Sequence, residues 1–262
     1  MTHATHQPPL SRPEWLLLAA CGAALLLALF GPAVAQPAGH HHFADQRTLW
    51  GIPCALDVLS NLPFALLGLA GLARLAVAPL AGRVLQGCAV LFFAGLVATA
   101  AGSAWYHWQP DDAGLAVDRL GMTFAFAGLM GLAAASRVSD RAGAALSAAV
   151  LVLGPASIGV WVLTRNVLPW CVLQFGGMAF LLGLSFLRPA PGAFNFRIGA
   201  VIALYALAKV LELADPAVYG FTGQLVAGHA LKHIVAALAA LPVIAALGWP
   251  VQNAPAGHAH NT

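Results

Sequence analysis

His229 and His233 stand four residues apart in an otherwise apolar stretch. On a helix that spacing puts two side chains on one face with Cβ atoms roughly 5–6 Å apart, close enough for both imidazoles to reach one metal ion. Ser103 and His107 repeat the spacing in Gly-Ser-Ala-Trp-Tyr-His, and Asp57 and Asn61 repeat it in Asp-Val-Leu-Ser-Asn. Asp118 follows in Val-Asp-Arg-Leu-Gly-Met-Thr. Three neutral imidazoles beside a carboxylate match a catalytic zinc with an open fourth position. Such an ion lowers the pKa of bound water towards about 7 and makes it a nucleophile. Nitrogen ligands alone also leave copper and non-haem iron open.

The elements that must position these groups follow from composition. Of 262 residues, 60% are hydrophobic and only 8% charged, against about 25% charged in a soluble domain. With a mean hydropathy of +0.82, a water-soluble globule is excluded, and so is disorder, which needs low hydrophobicity. A membrane span takes about 20 apolar residues, and eight such segments are expected near 15–35, 55–78, 84–108, 117–136, 142–164, 168–187, 197–214 and 226–247. Their apolar runs are continuous rather than alternating, which argues against a β-barrel. The expected fold is therefore all-α and polytopic, with a seven-helix core behind one N-terminal hydrophobic helix. That first helix is either retained or cleaved, since Ala33-Val34-Ala35 resembles a small-residue processing site.

Topology then aligns the chemistry. The third segment exits where the fourth begins, and the second and eighth begin at that same end, so the polar groups should share one depth. Ionisable side chains inside spans are costly and mark function. Arg12, Arg83, Arg137, Arg141, Arg188 and Arg197 collect at the opposite end, which the positive-inside rule makes cytoplasmic along with the C-terminus. The site end, rich in Asp45, Asp111, Asp112, Asp118 and Asp215, is expected on the outer or periplasmic side of the cell membrane.

Other features read more plainly. Twelve Lys and Arg against nine Asp and Glu leave a charge of +3, too small and dispersed for a nucleic-acid surface. Cys21, Cys54, Cys88 and Cys171 lack paired spacing, three of them sit in apolar runs, and all read as small buried residues rather than disulfide partners. Lys209 and Glu212 read as a neutralising pair, with Lys232 snorkelling or pairing with an acid. Trp50, Trp105, Trp108, Trp170 and Trp249 read as an interfacial belt. The run His40-His41-His42 and the tail histidines His3, His6, His258 and His260 are of a kind that binds metal weakly, though a solvated loop is the simpler reading of the run.

At Ser103-x3-His107-x10-Asp118 and His229-x3-His233 the chain resembles the alkaline ceramidase family. That family belongs to a seven-helix hydrolase superfamily that also includes the progestin and adiponectin receptors and hemolysin III. Val-Leu-Ser-Asn-Leu at 58–62 resembles the family's first core helix, and the resemblance covers roughly residues 45–247. It implies that His107, His229 and His233 ligate Zn2+. Asp118 would orient or deprotonate the bound water, and Ser103 would hydrogen-bond that water or the developing oxyanion. The implied reaction is hydrolysis of ceramide, or a related N-acyl lipid, to fatty acid and amine by attack of zinc-bound water. The Ca2+ site of eukaryotic members is not carried over: the stretch holds Asp45 but few other acids, and Cys54 stands near the expected Glu, leaving Asp57 and Asn61 as partial substitutes. Residues 1–44 are expected to form a tail, hydrophobic helix and histidine loop, 45–248 the ceramidase-like domain, and 249–262 a polar tail. A receptor or sensor with a structural zinc and no turnover is the alternative. A haem protein using paired histidines would leave Ser103 and Asp118 without a purpose.

Overall fold

The computed structural model describes residues 9–189 and 194–248; His3, His6, His258, His260, Trp249 and the expected C-terminal tail lie outside them. Among the described residues the architecture is all-α. The helices are α1 (Arg12–Phe30), α2 (Ala55–Val77), α3 (Arg83–Trp108), α4 (Asp112–Arg137), α5 (Asp140–Thr164), α6 (Leu168–Ser185), α7 (Ile198–Leu213), the short α8 (Asp215–Phe221) and α9 (Gly228–Ala246). All except α7 and α8 are long and apolar enough to cross a membrane, and α7 has 16 residues. The chain is thus a multi-pass helical membrane protein, with α2–α7 and α9 as the seven-helix bundle and α1 as the additional N-terminal helix.

Local chemistry explains where the helices depart from the expected boundaries. α1 stops at Phe30 because Gly31 precedes Pro32 and takes an extended conformation (φ −69°, ψ 163°), as residues before proline do. α4 begins at Asp112 rather than near 117, since the Asp111 carboxylate accepts the Gly114 N–H at 2.6 Å and caps its start. Asp118 therefore sits in the second turn instead of opening the helix. α2 is interrupted between Leu59 and Leu62, just ahead of Pro63, which lacks an N–H and crowds the carbonyl four residues back.

α1 runs along the outside and is fixed at both ends. At one end Glu14, buried, accepts from Arg141 Nη2 at 2.8 Å and from Ser139 Oγ at 2.7 Å. At the other, the Val167 N–H donates to the Val34 carbonyl at 2.8 Å.

The pair that positions the site is α3 against α4. Gly95 and Gly102 on α3, and Gly121 and Gly128 on α4, are each seven residues apart and face the partner helix. A Cβ at Gly95 would overlap the Ala125 backbone, and one at Gly128 would overlap Phe92. Without a hydrophobic drive between helices in lipid, small residues that let backbones touch are the main source of attraction. Gly128→Ala should therefore cost about 1–3 kcal/mol through overpacking. In a detergent melting assay its midpoint should fall, while Gly87→Ala, with open space beside it, should hold or rise.

Candidate metal centre

His107 near the end of α3 and His229 and His233 in the first turns of α9 meet in the buried interior, each offering a nitrogen within 4.8 Å of the others. The ring centroids are 4.8 Å (His107–His229), 4.9 Å (His107–His233) and 5.0 Å (His229–His233) apart. His107 Nε2 and His229 Nε2 approach to 3.3 Å. Ligands held at about 2.0–2.1 Å around a tetrahedral ion stand roughly 3.3 Å from each other, so this spacing suits a shared metal ion. Three buried imidazoles from two helices can hold one.

Each ring is held by a contact that spacing along the chain does not reveal. Asp215, at the start of α8, accepts the His229 N–H at 2.7 Å through Oδ1 and the Ala44 N–H at 2.9 Å through Oδ2. It thus caps α9 from another helix and ties down the loop before α2. Gly228 makes that approach possible, because a Cβ there would run into the Leu211 carbonyl and Asp215. Phe43, from the same loop, packs on His107 and His229 at centroid distances of 4.5 and 4.6 Å.

Ser60 holds the third ring. At the break in α2 the Asn61 N–H turns to the Val58 carbonyl (3.3 Å), which frees the Asp57 carbonyl from the helical ladder. Ser60 Oγ donates to that carbonyl at 2.9 Å and lies 2.8 Å from His233 Nδ1. With the hydroxyl proton committed to the carbonyl, Oγ can only accept from His233 Nδ1–H. The tautomer is thereby set, and the His233 Nε2 lone pair is left for a metal.

Ser103 and Asp118 come together across the α3–α4 contact, the hydroxyl near enough to the carboxylate to stabilise its charge. Both line a cavity of about 730 Å³ together with His229 and His233. Its deeper walls are apolar, including Phe92, Leu96, Leu129, Met130 and Leu181. Glu212, also on the wall, accepts from Lys209 Nζ and Lys232 Nζ, both at 2.6 Å, so one carboxylate serves both lysines.

Other expected groupings form differently. Asp57 and Asn61 do not meet side chain to side chain: Asn61 Nδ2 donates to the Asp57 backbone carbonyl at 2.9 Å, while the Asp57 carboxylate is fully buried with neither oxygen hydrogen-bonded. Asp45 is engaged by Arg47 at 2.7 and 2.8 Å. Burial alone would raise the Asp45 carboxyl, yet the Arg47 hydrogen bonds hold it below the usual carboxylate range. Trp50, Trp105 and Trp108 are exposed as a belt requires, but Trp170 is buried. It packs with Trp161 around the Arg119 guanidinium, 5.5 and 4.3 Å from the two rings. Arg119 in turn donates to Gln36 Oε1 at 2.8 Å.

No protein-family model and no curated protein matches this chain.

The roles of Ser60 and Asp215 had no motif to announce them; the one signal that could have pointed to the break beside Ser60 is Pro63. Ser60→Ala should weaken binding of a probe such as Co2+ by about 10–100-fold, the usual effect of removing a partner behind a ligand. Ser60→Thr, which keeps the hydroxyl, should largely restore it. Equal affinity in the alanine variant would reduce the Ser60–His233 bond to packing.

Proposed function

We propose that this protein is a zinc-dependent amide hydrolase of the alkaline ceramidase type, acting on ceramide or a related N-acyl lipid within the membrane. The observation that carries the reading is the placement of the Ser103–Asp118 pair and the histidine cluster on one largely apolar cavity. A lone structural metal would need neither the paired carboxylate nor the space.

His107, His229 and His233 would hold the ion through nitrogens that face one another. Zinc supplies Lewis acidity, which polarises a substrate carbonyl and acidifies water. Asp118 takes the proton released as water adds to the amide carbon, and passes it to the nitrogen as the C–N bond breaks. The products are a fatty acid and an amine. Ser103 would donate to Asp118 and so orient that carboxylate. Its oxygen lone pairs remain to accept a hydrogen bond from the attacking water.

The cavity, at about 730 Å³, lies within the range of roughly 300–1,000 Å³ common for small-molecule sites. Apolar walls suit an acyl chain, which would arrive laterally from the bilayer. The end bearing the histidines would face the outer or periplasmic side of the cell membrane, because the arginine-rich loops lie at the other end.

The test is zinc content and fatty-acid release from ceramide, measured on one detergent-purified sample beside His233→Ala and Asp118→Asn. About one zinc bound at the triad, lost in His233→Ala, with turnover in the wild type alone, is the expected result. Asp118→Asn should keep the metal and lose about 10²–10⁴-fold in rate. Zinc without release from any N-acyl lipid would favour a receptor or sensor with a structural metal. Folded protein without metal would overturn both.

A further inference from the structure

The loop joining α1 to α2 carries a second cluster that the proposed reaction does not use. His40 Nε2 lies 3.4 Å and His41 Nε2 3.2 Å from one oxygen, Oδ1 of Asp112 at the start of α4. The other nitrogen of each ring is already engaged. His40 Nδ1 is 2.9 Å from the Pro37 carbonyl, which can only accept, so this nitrogen bears the proton. His41 Nδ1 is 3.0 Å from the Tyr106 hydroxyl, whose own proton points to the His40 carbonyl at 3.4 Å. Tyr106 therefore accepts from His41.

The consequence is electrostatic. With both Nδ1 atoms protonated, a neutral His40 and a neutral His41 aim their Nε2 lone pairs at a carboxylate oxygen. His40 Nε2 is buried and has no hydrogen-bond partner. Two ring nitrogens 3.4 and 3.2 Å from one carboxylate oxygen, all three atoms within 4.8 Å of one another, repel unless a cation lies among them. The distances match the edge of roughly 3.3 Å between ligands of a tetrahedral ion.

We propose that His40, His41 and Asp112 form a second transition-metal site, separate from the buried triad, that clips loop 37–43 to the first turn of α4. Two imidazoles and one carboxylate select a first-row ion such as zinc over calcium or magnesium. Asp112 Oδ2 is held by Arg165, which fixes the carboxylate to offer one oxygen, as partners behind metal ligands do. The three side chains are partly exposed, so the ion loads from solution without crossing the cavity. Since Pro37, Gly39, His40 and Phe43 also line that cavity, filling the clip fixes one of its walls.

Tag-free, detergent-purified protein titrated with zinc tests this, with bound metal counted at graded free zinc. Loop exchange is followed by hydrogen–deuterium mass spectrometry. The wild type should gain a second, weaker zinc, and zinc should slow exchange in residues 37–43. His40→Ala/His41→Ala should lose that zinc and that protection while keeping the triad's metal. Asp112→Asn should weaken the second zinc by about 10-fold or more. His107→Ala should retain the loop protection, so failure of the triad leaves this site readable by itself. Unchanged uptake in the double variant, zinc-independent loop exchange, or full affinity in Asp112→Asn would each overturn the proposal.

Discussion

Polar groups taken out of water must find partners or incur a cost of several kcal/mol, and in lipid the backbone cannot supply spare ones. Three buried imidazoles meeting between α3 and α9 are the sharpest instance of that constraint here, and the surrounding structure can be understood as its answer. Asp215 receives the His229 amide, Ser60 receives the His233 ring, and Phe43 seals the His107–His229 face. Remove the glycine contacts between α3 and α4 and the Ser103–Asp118 pair no longer meets, since Gly102, next to Ser103, packs directly against the backbone of Asp118.

The same constraint shapes the charged wall of the cavity. Lys209 and Lys232 share Glu212, so the three groups carry one net positive charge rather than two isolated ammonium ions. A single carboxylate can satisfy both because the lysines come from different helices, α7 and α9, and approach its two oxygens separately. Arg119 is handled differently: its guanidinium lies against the Trp161 and Trp170 rings and reaches Gln36. A planar, weakly hydrated cation tolerates that setting where an ammonium would not.

Much of this was legible along the chain because it is local. Continuous apolar runs define spans, and histidines in such runs stand out by type alone, so the all-α fold and the members of the cluster could be named from residues at fixed spacing. What stayed hidden depends on contacts between distant segments. Ser60 and His233 are 173 residues apart, and Asp215 reaches back 171 residues to Ala44; no periodicity encodes either. Trp170 misled for a related reason: a tryptophan near a span end has two stable fates, the interface or a cation partner, and the guanidinium that decides between them lies on another helix. Asp57 and Asn61 shared the spacing of the other polar pairs, but at the break before the proline Asn61 turns to the backbone and the Asp57 carboxylate is left without a hydrogen bond.

That proline has a reach beyond helix geometry. Pro63 prevents α2 from continuing regularly, and the carbonyl released at Asp57 polarises Ser60, which in turn draws on the His233 N–H. The two bonds point the same way, so each strengthens the other and the imidazole becomes a better electron donor at its far nitrogen. A fault in one helix thus acts as a directional relay, tuning the basicity of a ring on another helix through a peptide dipole that an intact helix would have consumed internally.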